Sequence, residues 1–398
     1  MKDYSKLLKS AQNLQDDVVA TRRQIHRYPE IGRKEEKTSS LIRDKLTKFG
    51  VDEILSITPT SVVALIKGNL PGEKCLALRA DIDALPVEED TGLEFASEVP
   101  GMMHACGHDM HAAMLLGTAK LLCDNRDEFG GTIKLIFQHS EDTLPGGAKE
   151  LTEKGVMENP HVDAILGMHI MPDEKKDGVI AFKSGSLTTS VDLFDFTVTG
   201  VGGHGSTPHL TKDPILAACQ LVVLLQQIQA RYTNPLESVI FPICNIHSGD
   251  APNVIPNEAK LGGVARTYSE DLRKDMTKQV YDIAKGVENL SGCKIDINHY
   301  EGYPACTNDE ELTEFAKKYV AKAIGNDRVL TLKEPLAFSE DFSYFTNMTG
   351  TPGMYMFLYA KYLGEPVPLH NAKLSVSEDS MAYGIAAMSA TALAYMNE

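Results

Sequence analysis

Cys75-Leu-Ala-Leu-Arg-Ala-Asp-Ile-Asp83 is a short, largely apolar run that ends in two acidic residues. Comparable strand-like runs lie at Ser61–Lys67, Thr132–Gln138 and Ala164–Met168, and helical patterns such as Met110–Cys123 alternate with them. This alternation predicts an α/β fold on a mixed or largely parallel sheet. Ligands of open α/β sheets bind beyond the carboxyl ends of strands, so the residues at those ends are candidates for a functional site.

Residues 190–300 follow a second pattern, in which strands and helices occur in the order β-α-β-β-α-β. The predicted elements are strands at Val191–Thr199, Ser238–Ile246, Glu258–Tyr268 and Lys294–Asn298, and helices from Asp213 to Tyr232 and at Glu270–Leu290. This order is typical of a ferredoxin-like unit. Since 398 residues exceed what one hydrophobic core usually buries, we predict an inserted domain at 189–301 and a first domain formed by 1–188 and 302–398.

Composition argues against several classes of partner. The net charge of −16 disfavours nucleic acid and anionic membrane surfaces, because no basic stripe is present to neutralise phosphates. The sequence contains no apolar run of about 18 residues, and its first segment lacks a signal-peptide core. Seven scattered cysteines do not resemble a disulfide framework. We therefore expect a cytoplasmic protein that acts on small molecules and binds neither nucleic acid nor membrane.

His104-Ala-Cys106-Gly-His108-Asp109-Met-His111 places three imidazoles, a thiol and a carboxylate within eight residues. These ligand types together suit a divalent ion such as Zn²⁺, or Mn²⁺ or Co²⁺ where carboxylates dominate. The alternative is the start of a helix whose histidines are merely polar surface. The density of ligands favours the metal site.

Acidic residues follow two of the predicted strands. Glu141-Asp142 comes after the strand that ends at Gln138, and adjacent acids there can divide the work, one binding metal while the other moves a proton. Asp81 and Asp83 alternate after another strand, where such an acid typically orients a metal-bound imidazole. A solvated acidic turn and an Asx turn are the competing interpretations of the two pairs.

Four further residues are weaker candidates when taken singly. His169 follows a strand and His370 precedes the last predicted helix, and each is a plausible ligand. In the inserted domain, the glycine-rich loop around His204 lacks the features of a nucleotide-binding loop. That loop is suited to present His204 to a substrate oxyanion, and Arg266 to hold a carboxylate.

Several stretches, taken together and in order, resemble the M20 metallopeptidase family, most closely its amidohydrolase branch of aminoacylase-like, hippurate-hydrolase-like and auxin-conjugate-hydrolase-like enzymes. They are Arg79–Pro86, His104–His111, Phe137–Asp142, Gly167–His169, Gly202–His209, Ala251–Asn253, Val264–Thr267, Phe338–Phe342 and Leu369–Asn371. The resemblance implies a zinc-peptidase-like catalytic domain carrying an inserted ferredoxin-like lid and dimerisation domain, and hence a homodimer.

The same resemblance implies a role for each candidate residue. Five residues fall on the positions that bind two divalent ions: Cys106, His108, Asp142, His169 and His370. Glu141 falls on the general base and Asp83 on the acid that supports the metal cluster. His204 falls on the histidine that reaches the neighbouring subunit's site, and Asn253 and Arg266 on the groups that hold the substrate carboxylate.

One departure from the family pattern concerns the acidic segment itself. The branch usually has Pro-Ala-Glu-Glu where this chain has His139-Ser140-Glu141-Asp142. Aspartate is one methylene shorter than glutamate, so either the second ion is displaced or its affinity is lower, and His139 adds a ligand or a substrate contact.

The predicted function is metal-dependent hydrolysis of N-acyl amino acids, by a metal-activated water with Glu141 as general base, on Zn, Mn or Co. A dipeptidase or carboxypeptidase acting on short peptides is the alternative within the same chemistry. A thiol hydrolase using Cys106, which needs no metal, and a binding protein that retains only a structural ion are the alternatives of other classes.

Overall fold

The computed structural model describes residues 3–398. The α-helices are α1 Lys6–Asn13, α2 Gln15–Arg27, α3 Glu36–Phe49, α4 His108–Asp124, α5 Gly147–Glu153, α6 Pro214–Gln227, α7 Glu270–Ser291, α8 Glu310–Ile324, α9 Ser343–Asn347 and α10 Met381–Tyr395. Short 3₁₀ turns lie at Arg126–Glu128, Pro208–Leu210 and Asn326–Arg328, and a π turn at Ile228–Tyr232 follows α6. Among the residues described, no helix is both long enough and apolar enough to cross a bilayer.

The strands separate into one large sheet and several smaller ones. They are β1 Glu53–Leu55, β2 Val62–Lys67, β3 Leu70–Asp81, β4 Gly130–Gln138, β5 Ala164–Asp173, β6 Val179–Phe182, β7 Gly185–Thr188, β8 Asp192–Thr199, β9 Gly203–His204, β10 Val239–Ile240, β11 Ile243–His247, β12 Val254–Ile255, β13 Glu258–Thr267, β14 Lys294–Glu301, β15 Cys306–Asn308, β16 Val329–Thr331 and β17 Gly353–Lys361. The chain divides into two compact units, which are described separately below.

Unit 1 comprises the chain up to Gly185 together with Thr307–Pro335 and Asp341–Glu398. Its eight strands lie in the order β1-β2-β4-β3-β5-β17-β6-β16. The central pairs β4–β3, β3–β5 and β5–β17 are parallel, whereas β1–β2, β2–β4 and β17–β6 are antiparallel. The predicted mixed-sheet α/β fold is thus confirmed. Residues 75–81 of β3 and most of β4 and β5 are largely apolar, because both faces of the sheet are buried there.

Two helices of unit 1 are buried on almost every side, which fits their apolar sequences. In α10 only Tyr383 and Tyr395 are not fully buried, and α4 is buried from His108 to Ala119. A helix that is apolar all round needs partners on all sides, and here the sheet and neighbouring helices supply them. The first turn of α4 is therefore held rigidly, and it carries the cysteine-histidine segment identified above.

Unit 2 comprises Ser186–Cys306 with Leu336–Glu340. Its main elements follow the predicted order β8-α6-β10/β11-β13-α7-β14, and β13 and β14 both pair antiparallel with the central strand β8. Asp213 caps α6 as expected, since its carboxylate accepts hydrogen bonds from the Ile215 and Leu216 amides. The unit has a hydrophobic core of its own, built around Phe194 and Phe196.

The structure differs from the predicted elements where short local features interrupt a pattern. The apolar spacing from Tyr4 to Tyr28 predicts one helix, but the chain breaks at Leu14 into α1 and α2. The strand predicted at Ser238–Ile246 is split into β10 and β11 around Pro242, which lacks the amide hydrogen that a continuous ladder needs. The sequence predicts a closing helix from about Val376 to Met396, and the helix begins at Met381, five residues later.

Candidate metal centre

The five predicted ligands come from four separate places in unit 1. Cys106 and His108 flank Gly107 at the start of α4, and Asp142 lies in the loop after β4. His169 belongs to β5, and His370 lies in the loop that precedes α10. The structure brings all five side chains together.

The distances between their ligand atoms are short. Cys106 Sγ lies 3.4 Å from His169 Nε2 and 3.3 Å from His370 Nε2. His370 Nε2 lies 3.4 Å from Asp142 Oδ1, and His108 Nε2 lies 3.9 Å from Asp142 Oδ2. Ligand atoms bound to one tetrahedral zinc ion are separated by roughly 3.5 Å, given bond lengths of about 2.0–2.3 Å. The spacing therefore suits shared metal ions.

The hydrogen bonds of the histidines test whether these residues fit a metal. His108 Nδ1 donates to the Asp83 main-chain carbonyl at 3.0 Å, which leaves Nε2 as the nitrogen with a free lone pair. That Nε2 is buried and has no hydrogen-bond partner among the residues described. His169 Nδ1 is likewise turned to the Ile170 carbonyl, so its Nε2 faces Cys106. Both imidazoles therefore direct Nε2, a nitrogen that can bind a metal, into the cluster, and this set of ligand atoms fits a metal ion.

The electrostatics of the cluster point in the same direction. Burial raises the pKa of the Cys106 thiol well above its usual range, and the Asp142 and Glu141 carboxylates raise it further. Burial also lowers the pKa of His169. Burial also lowers the pKa of His108, but the Asp81 carboxylate and Cys106 outweigh it and raise that pKa well above its usual range. The site therefore favours a neutral thiol and a neutral His169, and a divalent cation bound there would convert the thiol to thiolate and replace the proton on His108.

Asp83 connects the acidic segment to the histidines. Its Oδ1 accepts a hydrogen bond from the Glu141 amide at 2.9 Å, and its Oδ2 accepts one from the Asp142 amide at 3.1 Å. Asp83 Oδ1 also lies 3.2 Å from His108 Nδ1. The Glu141 carboxylate is held close to the cluster, with Oε2 3.9 Å from His108 Nε2. A carboxylate beside metal-binding atoms is placed to move a proton.

The sequence model of Peptidase family M20/M25/M40 matches residues 77–394, most of the chain and every ligand of this cluster. The chain belongs to this family.

Several M20 relatives are similar over most of their length. Thermostable carboxypeptidase 1 of Saccharolobus solfataricus is 39% identical over 398 residues, 99% of each chain. The N-acyl-L-amino acid amidohydrolase of Geobacillus stearothermophilus is 41% identical over 295 residues, 74% of this chain and 79% of that enzyme. A dinuclear metal-binding M20 peptidase from Bacillus subtilis is 31% identical, covers 97% of this chain and 99% of its own, and superposes with a TM-score of 0.83. The predicted class, a metal-dependent hydrolase of amide bonds, is confirmed.

The M20 chain also contains three supporting residues that the sequence did not single out, namely Arg79, Gln138 and Asp341. Arg79 is fully buried and contacts the carboxylates of Asp81 and Asp341, each at 2.8 Å. Gln138 donates to both oxygens of Asp341. Asp81 in turn lies 2.6 Å from His111 Nδ1. The signal was present in the position of Arg79, two residues before Asp81 on a buried strand, where an unpaired cation would be unfavourable.

Two further histidines of the motifs are buried and contact other residues of unit 1. His111 Nε2 accepts a hydrogen bond from the Ile170 amide at 2.9 Å, so with Asp81 on Nδ1 both of its ring nitrogens are occupied. His139 is buried, with Nδ1 2.8 Å from Ser140 Oγ and Nε2 3.8 Å from a Glu150 oxygen. His139 Nε2 is buried and has no hydrogen-bond partner among the described residues, so the expectation that His139 adds a ligand or a substrate contact stays a prediction.

The three remaining candidates lie in unit 2. His204 is exposed, and its Nδ1 accepts a hydrogen bond from the Ser206 amide at 3.0 Å, which leaves Nε2–H as a donor. The main chain of Asn253 is next to it, since the Gly205 amide donates to the Asn253 carbonyl. Arg266 is half-buried on β13 and donates to Ser339 Oγ at 2.8 Å. Their roles toward a substrate stay predictions.

Proposed function

We propose that this M20 hydrolase cleaves the amide bond of N-acyl amino acids with the help of two divalent metal ions. The observation that carries the proposal is the convergence of thiol, imidazole and carboxylate atoms from four parts of unit 1. The name of the Geobacillus stearothermophilus relative, an N-acyl-L-amino acid amidohydrolase, supports this substrate class.

The ligand atoms form overlapping groups, which suits a pair of ions rather than one. Cys106 groups with His108 and His169, and also with Asp142 and His370. Cys106 and Asp142 each belong to two of the groups, so both would be available to hold either ion. When bound, the ions supply Lewis-acid polarisation of the amide carbonyl and lower the pKa of water.

Glu141 would perform the proton transfers. Its carboxylate accepts a proton from the attacking water as the water oxygen bonds to the amide carbon. It then delivers that proton to the amide nitrogen as the carbon–nitrogen bond breaks, which releases a carboxylic acid and a free amine. The hydrogen bonds of Asp83 to the Glu141 and Asp142 amides would keep this carboxylate in place during both steps.

The unit 2 residues would bind the substrate from within a homodimer. His204 Nε2–H is a suitable donor for a carbonyl oxygen that gains negative charge, and Arg266 is suited to the free carboxylate. The edge strands β11 and β14 of unit 2 leave Ile246 and Tyr300 about half exposed, which is the kind of surface that a second copy covers.

A carboxypeptidase is the second candidate, and it is favoured by the 39% identity to thermostable carboxypeptidase 1 across the full chain. Both reactions use the same chemistry and need a free carboxylate on the substrate. They differ in the acyl side, which is a simple acid in one case and a peptide in the other. A panel of N-acetyl, N-benzoyl and peptide substrates with a mass-spectrometric readout distinguishes them.

The first test substitutes the proposed base. Glu141→Gln should retain wild-type metal content and lose at least about 10²-fold in kcat, since general base catalysis of this kind contributes about 10²–10⁴-fold. Glu153→Gln, an exposed carboxylate after the same loop, is the matched control and should stay at the wild-type rate. Turnover that survives in Glu141→Gln contradicts the proposal, and full activity after exhaustive chelation would favour a thiol hydrolase.

The second test asks whether His204 acts across a dimer. Glu141→Gln and His204→Ala are each expected to be inactive alone. In mixed dimers, one site would combine an intact Glu141 with the partner's intact His204, so activity should recover to about one quarter of wild type after subunit exchange. No recovery, in a sample shown by light scattering to exchange subunits, would place His204 in its own subunit's site or outside catalysis.

A further inference from the structure

Three consecutive amides of the main chain that carries Glu141 donate to buried carboxylates. The Glu141 and Asp142 amides donate to Asp83, as described above, and the Ser140 amide donates to Glu35 Oε1 at 2.9 Å. Glu35 lies 105 residues away in sequence and directly precedes α3. The loop after β4 is thus held at three successive points by side chains from elsewhere in unit 1.

The position of Ser140 depends on the turn from Gly32 to Glu35, which precedes α3. Ser140 has a φ of 55°, in the left-handed region that residues with a Cβ seldom adopt without support. Gly32, in the turn that precedes Glu35, packs directly against it, because a Cβ added at Gly32 would lie 2.8 Å from Ser140 Oγ and 3.1 Å from Ser140 Cα. The turn therefore contacts Ser140 through both a hydrogen bond and close packing.

Packing alone does not require a carboxyl group at position 35. The Glu35 side chain has no exposed surface, and burial raises its pKa to about 7. A buried carboxyl is unfavourable unless its oxygens are used, whereas an apolar side chain of similar size would fill the same space without that penalty. The structure gives the carboxyl hydrogen-bond partners in its own amide, the Thr60 side chain and the Ser140 amide, and only the last of these leads to the loop that carries Glu141.

We infer that Glu35 is a positioning residue for catalysis, which orients Glu141 by holding the amide of the preceding residue. The inference rests on the proposed function, in which Glu141 is the base. The Ser140 amide belongs to the peptide unit between His139 and Ser140, one unit before the Glu141 amide that Asp83 holds. Fixing this unit beside the left-handed Ser140 sets the direction in which the chain enters Glu141, so a rotation there moves the carboxylate away from the attacking water. Glu35 acts through the main chain and needs no contact with substrate.

Two substitutions at position 35 separate the hydrogen bond from packing. Glu35→Gln keeps an acceptor oxygen for the Ser140 amide and should stay within about threefold of the wild-type kcat. Glu35→Leu removes the acceptor and should lower kcat about 10- to 100-fold at unchanged KM, because small misplacements of a catalytic group have effects of that size. Metal content and KM are measured on both variants, with metal in excess during the assay.

Glu30→Ala is the matched structural control. Glu30 accepts hydrogen bonds from the Lys37 and Thr38 amides, so its loss weakens the same end of α3 while the Ser140 contact stays. Glu30→Ala should keep the wild-type kcat. A wild-type kcat in Glu35→Leu, an equal loss of kcat in Glu30→Ala, or no rescue by Glu35→Gln would each overturn the inference.

Two additional measurements keep the result interpretable. If circular dichroism shows that Glu35→Leu does not fold, Gly32→Ala replaces it, because the added methyl group presses on the same Ser140 backbone. Gly32→Ala should lower kcat without loss of metal. A wild-type kcat in Gly32→Ala would overturn the inference. Glu141→Gln is assayed in parallel. An active Glu141→Gln means that the proposed function has failed, whereas an inactive Glu141→Gln beside a fully active Glu35→Leu means that only the positioning role has failed.

Discussion

Glu35 is a carboxyl group without exposed surface, so its ionisation should weaken the fold. Its pKa is about 7 in the folded protein against a usual 4.5, and burial is the main cause. A carboxyl whose folded pKa is raised contributes its full stability below about pH 4.5, and this contribution is lost as the pH rises through 7. Wild-type protein should therefore lose stability relative to Glu35→Gln by about 2 kcal/mol between pH 5 and pH 8.

Urea unfolding of the metal-free protein at the two pH values measures this difference. Glu36→Gln is the control, because Glu36 is the next residue and is exposed. The Glu36→Gln variant should follow the wild type at both pH values. If the gap between wild type and Glu35→Gln is the same at pH 5 as at pH 8, Glu35 does not carry a raised pKa.

At the level of single residues, the sequence predicted which residues could bind a metal better than it predicted which residues contact each other. Cys106 and His108 were found because ligand-forming residues are dense around them. His111 lies in the same motif, yet the Ile170 amide and Asp81 occupy its two nitrogens, and only the fold shows this. Glu35 belongs to no motif, since its partner is a main-chain amide 105 residues away. Because almost every residue has a main-chain amide hydrogen, the type of the partner residue does not reveal a contact of this kind.

The start of α4 depends on a glycine between two metal-binding residues. Gly107 has a φ of 87°, in the left-handed region, and a Cβ at this position would collide with the Ile170 side chain. Gly107→Ala should lower the free energy of unfolding by about 2–4 kcal/mol, through backbone strain plus overpacking. Because Cys106 and His108 flank the glycine, metal affinity should fall at least about tenfold.

Gly92→Ala separates backbone strain from overpacking against a neighbouring side chain. Gly92 has a φ of 69°, but the space where its Cβ would lie is open. This variant should lose only about 1 kcal/mol of stability and bind metal as the wild type does. Competition with a chromophoric chelator gives the metal affinity of each variant. Equal metal affinity in Gly107→Ala and wild type would show that the turn does not set the positions of Cys106 and His108.

Among helices and strands, length decided which ones the sequence could predict. The strands β2, β3, β4 and β5 were predicted because each extends an apolar run of five or more residues. Strands of three or four residues, such as β6 and β16, are too short for a pattern to be visible. The break at Leu14 preserves the apolar spacing on both sides, so the sequence shows one helix where the chain forms two.

For the whole molecule, the separation into two units predicts how metal stabilises it. The predicted ligands lie in unit 1, so binding should stabilise that unit by mass action, by about 2.7 kcal/mol when free metal exceeds its Kd 100-fold. The hydrophobic core of unit 2 is formed between Phe194 and Ile295, within one continuous stretch of chain. The core of unit 2 therefore contains none of the predicted metal ligands.

A fragment of residues 186–306 should therefore fold alone and be indifferent to metal. Its five-stranded sheet, its two helices and the caps at Asp213 and Ser269 are all contained in this range. The fragment should therefore show mixed helix and strand circular dichroism and a cooperative thermal transition. Zinc or manganese should leave its Tm unchanged, whereas the full chain should melt several degrees higher with metal than with chelator. A fragment that stays unfolded would show that the core of unit 2 depends on the rest of the chain. A fragment whose Tm depends on metal would show that residues of unit 2 also bind the metal.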